Sequence, residues 1–397
     1  MSDQTMSETI TRRDSIKSAF AALSAMALIP ELAFPALADG DTDVPFTDIP
    51  KTFSTGDSAG QRRLLDIRKI DGPLTPANQF FYIQHKNQPK IDPAAYRLKI
   101  SGLVKKPAEL SLADIKAMRP VEMTAGYECS GNSPRSVQGL SSCGRWTGVP
   151  LSAVLKRIGV DPDAREVVFF GTDRSKEDIV FRGETFAIDQ QFGRSITLEN
   201  ALKPEPLLAW NLNGEPLLFQ QGAPLRLIMP GWYGVANVKW LSEIHLQEDR
   251  FLGNYQARWY RSLVGTGGTG GEMDPGTQWV ENEISHMHLK SVIARVRTTG
   301  AGHQVFGYVL NDGSPLRSVE VKVDDGAWQP AKFDPSNTRF SWKLFTNDWK
   351  GATAGEHTLV SRVTDARGVV QPTLDDLKTK KTFLQDNSQF PRKVMIS

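Results

Sequence analysis

The sequence contains little cysteine: of its 397 residues only two, Cys129 and Cys143, carry a thiol. Two cysteines in so long a chain exclude a disulfide framework and any zinc or iron–sulfur site built from several cysteines. Neither cysteine lies in the C-x-x-C-H pattern that attaches a c-type haem. We therefore expect no haem in this chain.

The sequence also lacks blocks of like charge and long apolar runs. Its 47 Lys and Arg against 45 Asp and Glu give a formal net charge of +2. A nucleic-acid-binding face needs concentrated positive charge, so nucleic acid is not expected as a partner. The chain is 40% hydrophobic and 23% charged. This composition excludes an integral membrane protein and a disordered one, and the length predicts two or three folded domains.

A short apolar stretch near the N-terminus indicates an export signal. Residues 11–17 contain the pair Arg12-Arg13, an uncharged stretch follows over 18–30, and residues 35–38 end in an A-x-A pattern. Such a stretch is too short to span a bilayer, so no membrane insertion is expected. The paired arginines resemble a twin-arginine signal, with an ordinary secretory signal as the alternative. We expect residues 1–38 to be removed and the mature protein to work in the periplasm.

The next part of the chain mixes helix and strand patterns. Residues 96–102 alternate like a strand, and Ser111 with Asp114 predicts a helix that begins with a capping box. Pro150 begins a second predicted helix, which Gly159 ends. Its apolar face consists of Leu151, Val154, Leu155 and Ile158. Strand patterns follow at residues 166–170, 206–209 and 224–229.

A glycine-rich run at residues 264–271 interrupts this region. Glycine-rich loops can hold phosphate, but the next residues, 272–275, are not the Lys-Ser/Thr and helix that such a loop needs. The run is therefore predicted to be a loop or a boundary. Beyond it, short alternating strands such as 319–323 predict a β-sandwich. The predicted divisions are a signal at 1–38, an extended segment at 39–75, a mixed catalytic domain at 76–283 and a β domain at 284–397.

The most unusual run surrounds Cys129. The residues Ser-Gly-Asn follow it, and Arg135 comes soon after. This turn-forming, cation-containing setting is expected to lower the pKa of the thiol and favour the thiolate. A thiolate there could be a nucleophile or a soft metal ligand, and a buried structural cysteine is the third possibility. The residues alone do not decide among the three.

Together with other segments, this run resembles the sulfite oxidase family of molybdenum enzymes. In the mixed region the similar segments are 80–85, 171–173, 193–196, 222–226, 230–234 and 237–241. In the β region they are 290–295, 319–326, Trp328 and 364–372. The resemblance covers residues 75–397 in order and includes no b5-type haem domain. It implies an α+β fold, with a mixed α/β molybdopterin-binding core followed by an immunoglobulin-like β-sandwich that forms a homodimer.

The resemblance also implies roles for individual residues. Cys129 matches the single thiolate that binds molybdenum beside the two dithiolene sulfurs of a molybdopterin. Tyr260 matches the tyrosine that reaches the metal's oxygen ligand, and Arg135 is the predicted substrate-binding arginine. Residues expected to hold the pterin and its phosphate are His85, Asp173, Arg226 and Lys239, with Ser195 and Asn237 as weaker candidates. Cys143 is then expected to be a small buried apolar residue.

The sequence departs from the family pattern at three places. Ile83 stands where animal sulfite oxidases carry a substrate-pocket arginine, and Gln221 replaces a pterin-contacting histidine. Ser133-Pro134 shifts Arg135 by about two positions relative to the family pattern. The anion pocket is therefore the part of the site that these departures affect most.

The resemblance implies oxidation of sulfite to sulfate by oxygen-atom transfer at molybdenum. Because no haem is expected in the chain, the two electrons are expected to pass singly to a separate c-type cytochrome. A sulfoxide reductase of the same cofactor superfamily is the first alternative. A secreted, non-catalytic β-sandwich binding protein is the second. The presence of Cys129, Arg226, Lys239 and Tyr260 disfavours it.

Overall fold

The structure is a computed structural model that describes residues 41–50, 53–56, 60–267, 274–382 and 384–397. The predicted export signal at residues 1–38 lies outside the described residues. No helix in the described part of the chain is long and apolar enough to cross a membrane.

Strands dominate the described residues, and the helices are few and short. The strands up to the glycine-rich run are β1 (Thr42–Val44), β2 (Arg62–Arg63), β3 (Tyr82–Ile83), β4 (Arg97–Gly102), β5 (Ala108–Ser111), β6 (Val121–Glu128), β7 (Ser141–Pro150), β8 (Glu166–Phe181), β9 (Glu184–Thr197), β10 (Leu207–Leu212), β11 (Glu215–Pro216), β12 (Arg226–Ile228), β13 (Leu241–Gln247) and β14 (Arg261–Thr266). The later strands are β15 (Gln278–Glu283), β16 (Lys290–Thr299), β17 (Gly302–Leu310), β18 (Leu316–Val323), β19 (Gln329–Phe333), β20 (Lys343–Trp349), β21 (Gly355–Asp365), β22 (Lys380–Lys381) and β23 (Pro391–Ile396).

The helices are α1 (Leu112–Lys116), α2 (Leu151–Ile158) and α3 (Leu198–Ala201). Short 3-10 turns lie at Ile67–Lys69, Pro134–Ser136, Phe219–Gln221, Gly234–Ala236 and Asp376–Thr379, and a π-helical turn lies at Asn254–Arg258.

Both predicted helices are confirmed. In α1, Ser111 Oγ accepts from the Asp114 N–H at 3.1 Å, and the Asp114 carboxylate accepts from the Ser111 N–H at 2.9 Å. This is the predicted capping box, which satisfies two backbone donors at the start of the helix. The four predicted apolar residues of α2 are all buried, and Gly159 follows its last residue.

The mixed region contains two five-stranded sheets around one core. One sheet has the order β11-β10-β7-β6 with β12 paired to β10, and the other has the order β5-β4-β13-β8-β9. Only β4 and β13 are parallel within these sheets. Buried residues of both sheets, such as Trp146 and Phe169, belong to one apolar cluster. The sheets therefore fold as a single unit.

The C-terminal region is a β-sandwich, which confirms the predicted fold class. Its strands follow the order β1-β16-β17-β20-β19-β18-β21-β23. The path folds over so that β16 lies against β21, and Ser361 Oγ donates to Ser291 Oγ at 2.9 Å across the interior. Strand β1 comes from the predicted extended N-terminal segment, which is therefore partly built into the sandwich.

The described residues of the glycine-rich run lie in or next to a pair of antiparallel strands. The run begins inside β14, which pairs antiparallel with β15 from Arg261↔Glu283 to Thr266↔Gln278. Residues 268–273, between the two strands, are outside the described part. Strand β22, from the predicted β domain, also pairs with β14. The described start of the run thus belongs to β14, and the C-terminal segment returns to the same strand.

Candidate active site

A cleft in the mixed region brings together residues that are far apart in the sequence. It encloses about 600 Å³ of atom-free space, including its opening to solvent. Seven of the nine predicted site residues line it: His85, Cys129, Asp173, Arg226, Asn237, Lys239 and Tyr260. These residues come from β3, β6, β8, β12, the turns that follow them and the segment between the π-helical turn and β14, so only the tertiary fold assembles the cleft.

Cys129 follows the last residue of β6 and starts a tight turn. Its N–H donates to the Leu140 carbonyl at 2.9 Å, and its own carbonyl accepts from the Asn132 N–H at 2.9 Å. The side chain is 7% exposed. Burial raises the pKa of the Cys129 thiol to about 11, and the neighbouring Glu128 also acts in that direction. The expected lowering of its pKa is therefore wrong for the protein without cofactor, because burial outweighs the nearby cations.

Cys143 differs from Cys129 by its position. It lies within β7, is fully buried and does not line the cleft. Burial raises its pKa to about 12. This is the small apolar core residue that the sequence predicts.

Asp173 lies at an irregularity of β8, where the pairing with β9 shifts between Phe170 and Arg174. A Cβ atom on Gly171 would lie 2.3 Å from Asp173 Oδ1, so the aspartate adopts this position only because residue 171 is glycine. Asp173 is 4% exposed, and its Oδ1 atom has no hydrogen-bond partner. Burial raises the pKa of Asp173 to about 6, against the opposing effect of Lys239.

Arg226 and Lys239 supply the positive charge of the cleft. Arg226 Nη1 donates to the Gln221 carbonyl at 2.6 Å and Nη2 donates to the Asn237 carbonyl at 3.0 Å, while Nε has no partner. Lys239 Nζ donates to the Gln220 carbonyl at 3.1 Å. Burial and the charge of Arg226 lower the pKa of Lys239 to about 7. Among the described residues that line the cleft, these two are the only Lys or Arg.

The side chains of Asn237 and Gln221 form hydrogen bonds with backbone groups of the protein. Asn237 Oδ1 accepts from the Met229 N–H at 2.8 Å, and its amide donates to the Tyr233 carbonyl at 3.1 Å. The amide of Gln221 donates to the Ala77 carbonyl at 2.7 Å. Both side chains fix the backbone that holds Arg226, so their contribution to the cleft is to orient this guanidinium.

His85 and Tyr260 form a pair at the side of the cleft, with 2.6 Å between His85 Nε2 and the Tyr260 hydroxyl. Burial, Lys239 and Lys86 lower the pKa of His85 to about 4, so its ring is neutral near pH 7. Burial raises the pKa of Tyr260, which therefore keeps its proton. We assign the Tyr260 hydroxyl as donor and Nε2 as acceptor, because the neutral ring offers one unprotonated nitrogen.

The structure does not place Ser195 or Arg135 in the cleft. Ser195 lies on β9, and its hydroxyl donates to Glu166, which also accepts from Arg250 at 2.7 Å. Arg135 is exposed in the 3-10 turn Pro134–Ser136. Both expectations fail for a geometric reason: Ser195 is directed to another polar cluster of its sheet, and the turn directs Arg135 to solvent.

Sequence reasoning also missed the surroundings of His85. The rings of Phe192 and Tyr255 lie 5.6 and 4.9 Å from the imidazole, centroid to centroid. Behind them Lys86 and Glu177 form a buried ion pair. A signal was present for Tyr255 alone, because it shares a short aromatic segment with Tyr260.

Comparisons with known proteins support the family that the sequence resembles. Residues 85–255 match the oxidoreductase molybdopterin binding domain family. The sulfite oxidase of Arabidopsis thaliana is 31% identical over 352 residues, which cover 76% of this chain and 83% of the plant protein. The chain belongs to the sulfite oxidase family. The family match and this relative imply a molybdenum–molybdopterin cofactor, so the predicted cofactor is confirmed.

Other relatives match smaller shares of their own length. The mitochondrial sulfite oxidase of Drosophila melanogaster is 30% identical over 305 residues, covering 68% of this chain and 49% of that protein. The human mitochondrial enzyme is 29% identical, with 68% and 52% covered. The chain therefore spans about half the length of these animal sulfite oxidases.

A solved structure supports the fold. The sulfane dehydrogenase SoxCD from Paracoccus pantotrophus superposes with a TM-score of 0.69, covering 89% of this chain and 91% of that chain at 23% identity. At 23% identity this similarity shows the fold alone, for the core and the sandwich together.

The cleft fits the cofactor of this sulfite oxidase family member. Asp173 Oδ1 and Arg226 Nε are buried polar atoms without a partner, which proteins rarely leave unless a ligand completes them. A carboxylate can accept from the N–H groups of a pterin, and two cations can donate to a phosphate. Cys129 adds a soft sulfur donor suited to molybdenum. The donor set thus matches a phosphate-bearing pterin with a thiolate-bound metal.

Proposed function

We propose that the protein oxidises sulfite to sulfate at a molybdenum–molybdopterin cofactor and passes the two electrons singly to a separate c-type cytochrome. In the balanced reaction, sulfite and water give sulfate, two protons and two electrons. When bound, the cofactor supplies oxygen-atom transfer and two-electron redox chemistry. One observation carries the proposal: Cys129, Tyr260 and His85 share the cleft with the residues suited to a pterin phosphate.

Asp173, Arg226 and Lys239 hold the cofactor in this proposal. Arg226 is oriented by two carbonyl groups and keeps one N–H free for a ligand. Lys239 has a pKa of about 7, and a bound phosphate favours its charged form. The two cations also make the cleft attractive to an anionic substrate such as sulfite.

Cys129 binds the metal through its sulfur. Because burial disfavours the free thiolate, the thiol loses its proton as the metal binds. Tyr260 lines the same cleft as Cys129, so we place its hydroxyl at the reacting centre. His85 Nε2 fixes the direction of the Tyr260 O–H group and is the base nearest to it. With its proton donated to His85, the Tyr260 oxygen can still accept a hydrogen bond, so it is placed to orient a water molecule or a protonated oxygen in the cleft.

Purified protein tests the reaction. We expect about one molybdenum per chain, stoichiometric sulfate from sulfite, and reduction of ferricyanide or added cytochrome c. Reduction of methionine sulfoxide by a reduced viologen, without sulfite oxidation, would support the reductase alternative. Absence of molybdenum would leave the non-catalytic binding protein. Hydrogen peroxide formation in place of cytochrome reduction would contradict the dehydrogenase proposal.

The location in the cell is a separate part of the proposal. Residues 1–38 direct the folded, cofactor-loaded protein to the periplasm through the twin-arginine route. Replacing Arg12-Arg13 by two lysines is expected to keep the protein in the cytoplasm. Unchanged export of this variant would favour an ordinary secretory signal.

The β-sandwich is proposed to form a two-fold homodimer. Exposed apolar side chains on this part of the chain, among them Val369, Val370 and Leu374, give a physical motive. Sedimentation equilibrium at micromolar concentration is expected to give twice the monomer mass. A monomer under these conditions would contradict the proposal.

A further inference from the structure

Lys290, the first residue of β16, is a buried lysine at the junction of the sandwich and the core. Its side chain is 1% exposed, and Nζ lies 2.7 Å from Oε1 of Glu128, whose side chain is 2% exposed. Lysine and glutamate are almost never buried to this degree unless they are paired. The sandwich therefore inserts a positive charge into the core at one defined carboxylate.

That carboxylate belongs to the turn that carries Cys129. Glu128 directly precedes the cysteine, and its Oε1 atom also accepts from the Asn132 side-chain amide at 2.9 Å. The side-chain oxygen Oδ1 of Asn132 accepts in turn from the Leu140 N–H at 3.0 Å and from the Ser136 hydroxyl at 2.9 Å. One oxygen of Glu128 thus joins Lys290 to the hydrogen bonds that close the turn.

The C-terminal segment contacts the same turn from a second side. The Gln385 N–H donates to the Ser130 carbonyl at 2.5 Å. The Asn387 amide donates to the Leu289 carbonyl at 3.1 Å, next to Lys290. Both residues flanking Cys129 therefore receive a contact from residues beyond 284.

The backbone at the end of β6 approaches the sandwich closely. A Cβ atom on Gly126 would lie 2.9 Å from the Trp342 backbone nitrogen. No larger residue fits there without a shift of backbone. The approach explains how a lysine on β16 can reach a carboxylate beside the cleft.

Charge explains why this contact matters for the site. In the metal-bound protein Cys129 is a thiolate, so a carboxylate on the preceding residue would place two negative charges side by side in a buried region. Lys290 offsets the carboxylate at 2.7 Å. Removing one partner of a buried pair leaves an uncompensated charge, which is strongly unfavourable.

We propose that Lys290 of the β-sandwich is a positioning residue for the molybdenum site, acting through Glu128 on the turn that presents Cys129. This inference rests on the proposed role of Cys129 as the metal ligand. It makes the sandwich a part of the cofactor site as well as a dimerisation module. A core without Lys290 is then unable to hold the cysteine sulfur in its metal-binding position.

The full-length holoenzyme tests the inference through a set of substitutions. Lys290→Met keeps the length of the side chain and removes its charge, and Glu128→Gln removes the opposite charge while keeping an acceptor for Asn132. Arg392→Met is the matched control, because Arg392 is a buried cation of the sandwich whose ion pair, at 3.2 Å, is with Asp48 and not with a residue of the cysteine turn. The readouts are molybdenum per chain, the midpoint of thermal unfolding and the electron paramagnetic resonance spectrum of partly reduced enzyme.

We expect Lys290→Met to lower molybdenum per chain by about 10- to 100-fold, the usual effect of losing a residue that supports a metal ligand. Any enzyme that still holds metal should show a shifted resonance spectrum. The double variant Lys290→Met/Glu128→Gln should return molybdenum content to within about twofold of the parent and restore the spectrum, because no unpaired buried charge remains. Arg392→Met should change the unfolding midpoint alone.

Three results would overturn the inference. They are an unchanged molybdenum content and spectrum in Lys290→Met, no recovery in the double variant, and the same metal loss in Arg392→Met. A separate variant tests whether Cys129 is the metal ligand. If it is not, Cys129→Ser in the otherwise unchanged protein would leave the resonance spectrum as in the parent.

Discussion

The cleft and the surroundings of Gln371 in the sandwich both bury polar side chains, but only those around Gln371 complete their hydrogen bonds within the protein. There Gln371 Oε1 accepts from the N–H and the hydroxyl of Ser291 at 2.9 and 2.6 Å, and the Gln371 amide donates to the Ser388 carbonyl at 3.0 Å. In the cleft, Asp173 Oδ1 and Arg226 Nε have no partner. The network at Gln371 is complete as folded, whereas the cleft needs a ligand.

The pKa values of two cleft residues reflect the same incomplete hydrogen bonding. Burial without full hydrogen bonding moves the pKa of Asp173 up to about 6 and that of Lys239 down to about 7. Each shift means that the charged form is disfavoured until a partner arrives. A substitution in the cleft should therefore affect cofactor and turnover, and one at Gln371 should affect stability.

The largest effect is expected for Cys129→Ser. Serine replaces a soft sulfur donor by a hydroxyl that stays protonated near neutral pH, so turnover of sulfite should fall by orders of magnitude. The pterin contacts do not depend on the sulfur, so the pterin should remain bound. Sulfite-dependent ferricyanide reduction and pterin analysis measure the two effects. Cys143→Ser is the control and should be close to the parent, and the reverse pattern would refute the assignment of Cys129.

Tyr260→Phe should lower kcat by about 100-fold, a typical loss when a group that positions a proton is removed. Molybdenum per chain should be unchanged, because the hydroxyl is hydrogen-bonded to His85 and not to a group that holds the cofactor. Steady-state kinetics together with metal analysis check this. A loss of molybdenum would move Tyr260 from turnover to cofactor assembly.

Cofactor retention should depend on pH through Lys239. In the free protein its pKa is lowered from 10.5 to about 7, so the charged form that binds phosphate is lost as pH rises above about 7. Affinity should then fall by up to about tenfold per pH unit, the limit for one linked proton. The free energy of unfolding of the cofactor-free protein changes in the opposite direction. Because burial lowers the pKa of Lys239 in the folded state, this protein is most stable above the unfolded pKa of the lysine and loses stability as pH falls towards 7.

Equilibrium dialysis of the cofactor between pH 6 and 9 measures the retention, and the Lys239→Arg variant is the matched control. Arginine stays charged throughout this range, so its retention should show no such slope. An equal slope in both proteins would assign the pH dependence to another group, with Asp173 the first to test.

In the sandwich, Gln371→Leu should lower the free energy of unfolding by about 1–3 kcal/mol, because the Ser291 N–H and hydroxyl lose their acceptor. Turnover per molybdenum should not change. Denaturant unfolding and kinetics on the same sample separate the two. Gln304→Leu, at a solvent-exposed hydrogen bond on β17, is the control, and a fall in turnover specific to Gln371→Leu would break the contrast between the two regions.

The smallest effect is expected for Arg135→Ala. Arg135 is exposed and does not line the cleft, so KM for sulfite should change by less than about twofold, as for an ordinary surface substitution. Lys239→Ala, inside the cleft, is the comparison. A large rise in KM for Arg135→Ala alone would mean that the turn at 134–136 moves towards the cleft during turnover.

Local sequence signals predicted the helices well, but they predicted contacts between distant residues less well. The helix from Pro150 to Gly159 was predictable because the residues that begin it, form its apolar face and end it all lie within one stretch of ten residues. The glycine-rich run was predicted to be a loop or a boundary, but the sequence did not indicate that the strands β14 and β15 on either side pair with each other. Pairing of this kind is set by partners that a local pattern does not contain.

The site shows the same limit. Resemblance named seven residues that the cleft does bring together. It failed for Arg135, where nearness to Cys129 in sequence was taken as nearness to the site. It failed for Ser195 as well, because a strand residue can contact either of two neighbouring clusters and the sequence does not say which. Lys290 gave no signal at all, since its partner Glu128 is 162 positions away.

The sequence by itself determined the family and the cofactor and predicted Cys129 as the thiolate ligand, because these depend on which residue types occur and in what order. Tertiary structure alone decided the chemical state of those residues. The pKa values of His85, Asp173 and Lys239 depend on how far each group is removed from water and on which charges the fold places beside it. The contact of Lys290 with the cysteine turn has the same origin, because only the packing of the sandwich on the core brings the two together.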